Sequence, residues 1–422
     1  MTTVVQGLLF ANFVSLVAVL TGMAPAAFAS GQVQAKNAAA STSLVTRANA
    51  QGVLPPGSST FKEKGDEKKH ALEVVGTFHD MMPRGVAVSN SGRIFVCFPR
   101  SDSSGSYTLG ELKNGEVTAY PNLDLNKGDR TDAKNSFVSI LSAVIDDKNR
   151  LWVLDSGRIG KELVPGAPKL LAIDLETGSV VKNLAFPADV FLPTTVLKDL
   201  RITPRIGRDG TAIICDSSAT GKSALIVVDL ESGKCMRRLN GHPTVESEAN
   251  FVIFAEGEMV RLRDLEGKDR SWSAGVTGLA LSSDGSLLYY SPMAGLSLSS
   301  VSVPALCDGA VGEAAVEKTV KVIAREIGTS DGLESDSQNR LYLTDVENNE
   351  IWQLDTDGSM SNLVRDDRLI WPDRLCLAPN GYLYVIASQF NRSPWFHFGQ
   401  DLRTKPFQLF RIKVDAKPVH LQ

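Results

Sequence analysis

Apolar and polar positions alternate along this chain in short bursts, and the bursts come in pairs. Three stretches share one phrase: "GVAVSNSGRIFVCF" from Gly85, "LSAVIDDKNRLWVLD" from Leu141 and "DLRITPRIGRDGTAIICD" from Asp199. Three more repeat it: "TGLALSSDGSLLYYS" from Thr277, "GLESDSQNRLYLTD" from Gly332 and "RLCLAPNGYLYVIAS" from Arg374. Each is a short apolar strand, a polar turn ending in Gly or Asn, then a strand rich in β-branched and aromatic residues. Gly and Asn supply the positive φ that a tight turn needs, so the phrase predicts a β-hairpin.

A second phrase follows most copies, clearest in "PKLLAIDLETGSVVKNL", "SALIVVDLESGKCMRRL" and "EIWQLDTDGSMSNLV". It reads strand, Asp, turn, strand. The unit is therefore four antiparallel strands, repeated six times, which predicts an all-β fold, a six-bladed β-propeller. A ring must also close. The sixth unit supplies three strands, "RLCLA", "YLYVIA" and "FQLFRIKV", while "ALEVVGTF" (Ala71–Phe78) is spare. This N-terminal strand is expected to complete the last blade and remove an open edge. The propeller is expected over residues 71–422.

The beginning of the chain reads differently. "LLFANFVSLVAVL" (Leu8–Leu20) is an apolar run of signal-peptide length, and an A-x-A cleavage site ends at Ala29. Residues 1–29 are expected to be a signal peptide and 30–70 a flexible leader. The expected location is the secretory pathway or the exterior, with no stable membrane association after cleavage. Such a compartment permits disulfides. An odd set of cysteines (Cys97, Cys215, Cys235, Cys307, Cys376) leaves at least one thiol unpaired. A formal net charge of −4 without a basic block gives no electrostatic footprint for nucleic acid.

In a propeller, the loops entering the inner strands and those joining second to third strands gather on one face. Here they carry Arg84, Asn135, Asp199, Thr277, Asp331 and "WPDR" (Trp371–Arg374), and the long "SQFNRSPWFHFGQDLRTKP" (Ser388–Pro406). Aromatics crowd the latter. They either plug the channel mouth or line an apolar pocket. Asp199 and Asp331 precede inner strands; with Asn135 they either form an oxygen-rich cation site or hydrogen-bond backbone at strand starts. Ser330 fits G-x-S-x-G, but a nucleophile elbow needs a helix after it, and the next residues read as another hairpin.

Longer phrases carry a resemblance. "YPNLDL", "NSFVSILSAVIDDKNRLWVLDSG", "PKLLAIDLETG", "SDGLESDSQNRLYLTDVENNEIWQLD" and "WPDRLCLAPNGYLYVIAS" resemble the yellow / major royal jelly protein family, from about Ala71 to Val414. The resemblance implies a secreted six-bladed propeller. Two departures stand out: Lys198-Asp199 where insect members favour Asn-Asp, and the expanded aromatic loop near Trp395. The polar leader and unpaired cysteines point to a fungal branch. Its members include hetero-Diels–Alderases that join a tropolone-type quinone methide to a humulene-type alkene; insect members include amine-binding salivary proteins, nutrient proteins and isomerases of melanin intermediates. Metal-dependent lactonases are more distant relatives.

The resemblance thus implies a secondary-metabolism enzyme catalysing a cycloaddition of apolar small molecules, without cofactor or metal. The alternatives are a non-catalytic small-molecule binder and a lactonase-like hydrolase. Cycloaddition needs two partners held face to face and hydrogen bonds to a carbonyl or enol oxygen. Candidate catalytic groups are Arg84, Asn135, Asp331 and His397. Candidate substrate-binding groups are Asp199, Thr277, Trp371, Asp373, Gln389, Phe390, Trp395 and Phe396.

Overall fold

A computed structural model describes residues 70–100, 105–263 and 265–419. The expected signal peptide, nearly all of the leader, and His420 lie outside the described residues. Six four-stranded antiparallel sheets form the blades of a propeller. Their inner strands are Gly85–Val88, Ile140–Ile145, Leu197–Thr203, Val276–Leu281, Leu333–Ser335 and Pro372–Leu377.

Each inner hairpin turns through a left-handed Gly or Asn: Gly92, Asn149, Gly210 (with Gly207 in the same turn), Gly285, Asn339 and Gly381, with φ from 56° to 93°. The polar phrase in the sequence is thus a set of turns that only Gly or Asn enters cheaply. In two blades an Asp locks the turn from inside. Asp146 accepts from Arg150 N and Nε and from Trp152 Nε1, and Asp336 accepts from Arg340 N and Nε and from Tyr342 Oη. The D-x-x-x-R-x-aromatic spacing places all three donors on one carboxylate.

The ring closes as expected. Leu72–Phe78 pairs with Phe407–Lys413, Leu72 opposite Ile412 and Phe78 opposite Phe407, as the outer strand of the sixth blade. His70, the last residue of the expected flexible leader, is half-buried; its backbone N–H donates to Leu363 O, and Nδ1 lies 2.6 Å from Lys413 O. Packing against the sixth blade holds it. The five cysteines are free thiols, three of them buried. No helix among the described residues is long and apolar enough to cross a membrane.

Two small ribbons interrupt the repeat between the third and fourth blades, Phe254–Ala255 with Glu258–Met259 and Arg261–Arg263 with Asp269–Ser271. They lean on the loop after Ala387 and deliver Trp272 to the channel mouth.

Candidate functional site

Charged residues inside otherwise apolar inner strands, or just before them, converge on the propeller axis. Arg84 Nε sits 2.5 Å from Asp373 Oδ2, and Arg84 Nη2 lies 3.8 Å from Asp331 Oδ2. Lys198 Nζ is 3.8 Å from Asp331 Oδ1. One turn deeper, Asp199 takes Arg374 at 3.1 Å and Arg201 at 3.0 Å, and Arg201 reaches Glu334 at 3.6 Å. Ser142 donates to Asp199, Leu279 N approaches the same carboxylate, and Arg374 donates to the carbonyls of Thr277 and Lys198. All six blades contribute to this layer. Ions so deeply buried persist only when paired, so four cations facing four carboxyl groups bind the blades across the axis.

The protonation states follow from the surroundings. Burial opposes the charge on Asp331, yet Lys198, Arg84 and Arg374 hold its carboxyl below the usual range. Burial raises Asp373 to about 6 despite Arg84 beside it. Glu334 is raised by burial, against the pull of Arg201. Lys198 is lowered by burial and by Arg84. Asp331 Oδ1 and Asp373 Oδ1 are buried and accept no hydrogen bond among the described residues.

Above the charges, the aromatic loop is a plug. Trp272, Trp371, Phe390 and Phe396 meet edge to face or tilted, with ring centroids 5.2–5.9 Å apart. Arg84 lies 4.4 Å beneath the Phe390 ring. Trp371 adopts φ 53°, a left-handed backbone that a bulky side chain enters at a cost of about 1–3 kcal/mol, and its indole N–H donates to Asp331 Oδ2 at 3.0 Å. Each aromatic contact contributes about 0.5–1.5 kcal/mol beyond burial.

The opposite end of the channel is open. A cavity of about 550 Å³ is lined by all six inner strands, with Ala87, Ala143, Ile202, Leu281 and Leu375 on its walls and Arg201, Glu334 and Arg374 among its polar groups. Its size falls within the usual range for small-molecule sites, about 300–1,000 Å³. The C-terminal segment crosses near the opening: Pro418 bridges to Asp336, Lys417 O accepts from Ser337 N, and Pro418 and Val419 line the cavity.

Of the sequence candidates, Arg84, Asp199, Thr277, Asp331, Trp371, Asp373 and Phe390 converge on the axis. Asn135 does not. It is exposed and donates to Asp132, because the chain makes a surface turn there before reaching the second inner strand. The oxygen-rich cation site therefore does not assemble; guanidinium groups and backbone N–H groups occupy the Asp199 oxygens. Gln389 binds Thr404 N and O, His397 Nε2 meets Asn391 O, and half-buried Trp395 lies beneath Lys161, so these three shape the loop. Phe396 packs inside the plug. Asn391 in the same loop is buried, and its amide donates to Glu256.

Ser330 is buried and donates to Gly332 O. A Cβ on Gly332 would stand 2.0 Å from Asp373 O, so that glycine lets neighbouring blades touch. Sequence reasoning left Lys198, Arg201, Glu334, Arg374 and Trp272 without roles. The available signal was charge in apolar strands, as in "LKDLRIT" and "GLES".

The family model described as Major royal jelly protein matches residues 138–416. Major royal jelly protein 1 of Apis mellifera is 30% identical over 187 residues, covering 42% of this chain and 39% of that protein. Major royal jelly protein 8 of the same organism is 28% identical over 246 residues, 56% of each chain. A yellow-related salivary protein of Lutzomyia longipalpis is 33% identical over 124 residues, 26% of this chain and 30% of its own. These matches span less than two thirds of the relatives' lengths. Among solved structures, a luciferin-regenerating enzyme superposes with TM-score 0.52 at 11% identity, over 84% of this chain and 99% of that one. A gluconolactonase from Xanthomonas campestris gives 0.50 at 12%, over 81% and 89%. The two structures share the fold alone.

Proposed function

Because the chain belongs to the major royal jelly protein family, we propose that it is a small-molecule-binding propeller of the secretory pathway, its ligand seated in the lower channel cavity. One observation carries this reading: the cavity opens between apolar inner-strand walls, whereas the upper mouth is filled by its own aromatics. The ligand has an apolar body and an oxygen that meets Arg201 or Glu334. Titration with tropolone and with humulene, followed by calorimetry, tests it. Ala143→Leu is expected to weaken binding of whichever probe binds by at least about tenfold, equal to about 1.4 kcal/mol. Undiminished binding in that variant would place the ligand elsewhere.

Glu334 favours a second reading, cycloaddition in the same cavity. It lines the space, and burial favours its neutral form. A neutral carboxyl can donate a hydrogen bond to a heterodiene oxygen and draw electron density from it. Incubation with an ortho-quinone methide precursor and humulene is the test. Glu334→Gln keeps a donor and should retain stereoselectivity, while Glu334→Ala should lose it. Product stereochemistry equal to the uncatalysed mixture in the unaltered protein sinks this reading.

A further inference from the structure

Lys198 is the least enclosed side chain in the upper part of the charged layer. It keeps 9% of its surface exposed, against 3% or less for Arg84, Asp331, Asp373, Arg374 and Asp199. Its amine makes no hydrogen bond among the described residues. The nearest carboxylate oxygen, Asp331 Oδ1, is 3.8 Å away, and the ring centroid of Phe390 is 5.7 Å away. Compare Lys169, also buried, whose amine is saturated by Asp155 and three carbonyls. One buried lysine is a structural cation; the other has a nitrogen with open valence directions and a proton acceptor at its side.

We propose that Lys198 is a nucleophilic amine that forms a Schiff base with an aldehyde or ketone ligand, with Asp331 carrying the proton. The neutral nitrogen adds to the carbonyl carbon, forming the C–N bond as the C=O π pair moves to oxygen. Asp331 takes a first proton from the nitrogen and passes it to the alkoxide, giving a carbinolamine. It then takes the second nitrogen proton and passes it to the hydroxyl, whose C–O bond breaks as the nitrogen lone pair forms C=N. The products are the imine and one water, so no oxidant or reductant enters.

The groups facing the amine are Arg84, Asp331, Asp373 and Arg374. Burial and Arg84 favour the neutral amine, and Arg374 acts in the same sense; Asp331 and Asp373 oppose them. The balance leaves the amine less basic than a solvated lysine, which is the activation that buried Schiff-base lysines use.

The experiment is reductive trapping. The full chain is incubated with benzaldehyde and sodium cyanoborohydride across pH 6–10, and the benzyl adducts are located by peptide mass mapping. Exposed Lys127 and Lys268 serve as internal references. The expected result is an adduct at Lys198 that forms at lower pH than the adducts at the two exposed lysines, because burial and Arg84 favour the neutral amine. Asp331→Asn is expected to slow trapping at Lys198 while moving its midpoint lower still, because the variant removes both the acceptor and a stabilising negative charge. Lys198 left unmodified while Lys268 reacts overturns the proposal. A midpoint at Lys198 equal to that of Lys268 overturns it too. Should Asp331→Asn fail to fold, the profile of the unaltered protein decides alone.

Discussion

The two ends of one channel differ although the same six inner strands build both. At the upper end, loops of unequal length bring Trp272, Trp371, Phe390 and Phe396 together, and they fill the mouth. At the lower end, the turns after the inner strands are short, and a cavity of about 550 Å³ opens between the strands. Between them lies the charged layer. Aromatic content in a loop therefore does not by itself mean a pocket: four rings that can reach one another satisfy their apolar surface mutually, and the space remains where nothing reaches across.

The charged layer between the two ends is the most sensitive point of the channel. Asp199→Ala removes the carboxylate that Arg374 and Arg201 share, leaving Arg201 only the more distant Glu334, and is expected to cost about 3–5 kcal/mol in denaturant unfolding. A loss below about 1 kcal/mol would mean that the layer does not tie the blades together. Phe390→Ala comes next, at about 3–5 kcal/mol at most, since deleting a ring from the plug leaves a void. Its ligand affinity is expected to stay unchanged, and a matching fall in affinity would move the site to the upper mouth.

A smaller effect separates Asp373 from its neighbours. Its carboxyl is raised to about 6, above the unfolded value of about 3.9. Between those values the folded state holds a proton that the unfolded state has released. Stability from this group is therefore fully present below about pH 4 and lost as pH rises through about 6. Asp373→Asn should flatten that part of the stability profile, measured by unfolding at fixed temperature from pH 4 to pH 7. The smallest change is expected at Asn135→Ala: within about 0.5 kcal/mol of the parent in stability, with ligand affinity unaltered, because the side chain faces solvent.

How much of this was legible beforehand varies by feature. The six hairpins were readable because each repeats a turn whose Gly or Asn must take positive φ, and ring closure followed from counting strands. Asp199, Asp331 and Asp373 were readable as axial groups because they stand at inner-strand starts. Their partners were harder to assign. Arg201, Arg374 and Glu334 follow in the same strands, but which cation meets which carboxylate depends on blades up to a full half-ring apart. Trp272 was invisible, since it arrives on two ribbons that break the repeat. Asn135 misled because its loop detours over the surface before the strand begins.

The sequence alone thus determined the blade count, the turn chemistry and the strand that closes the ring, since these rest on local backbone preferences and on a pattern repeated along the chain. Tertiary structure alone decided which end of the channel is empty, which charges pair, and that Ser330 is a buried donor to its own turn. Those outcomes depend on distances between side chains far apart in the chain, and close packing around a common axis sets such distances where no local preference can.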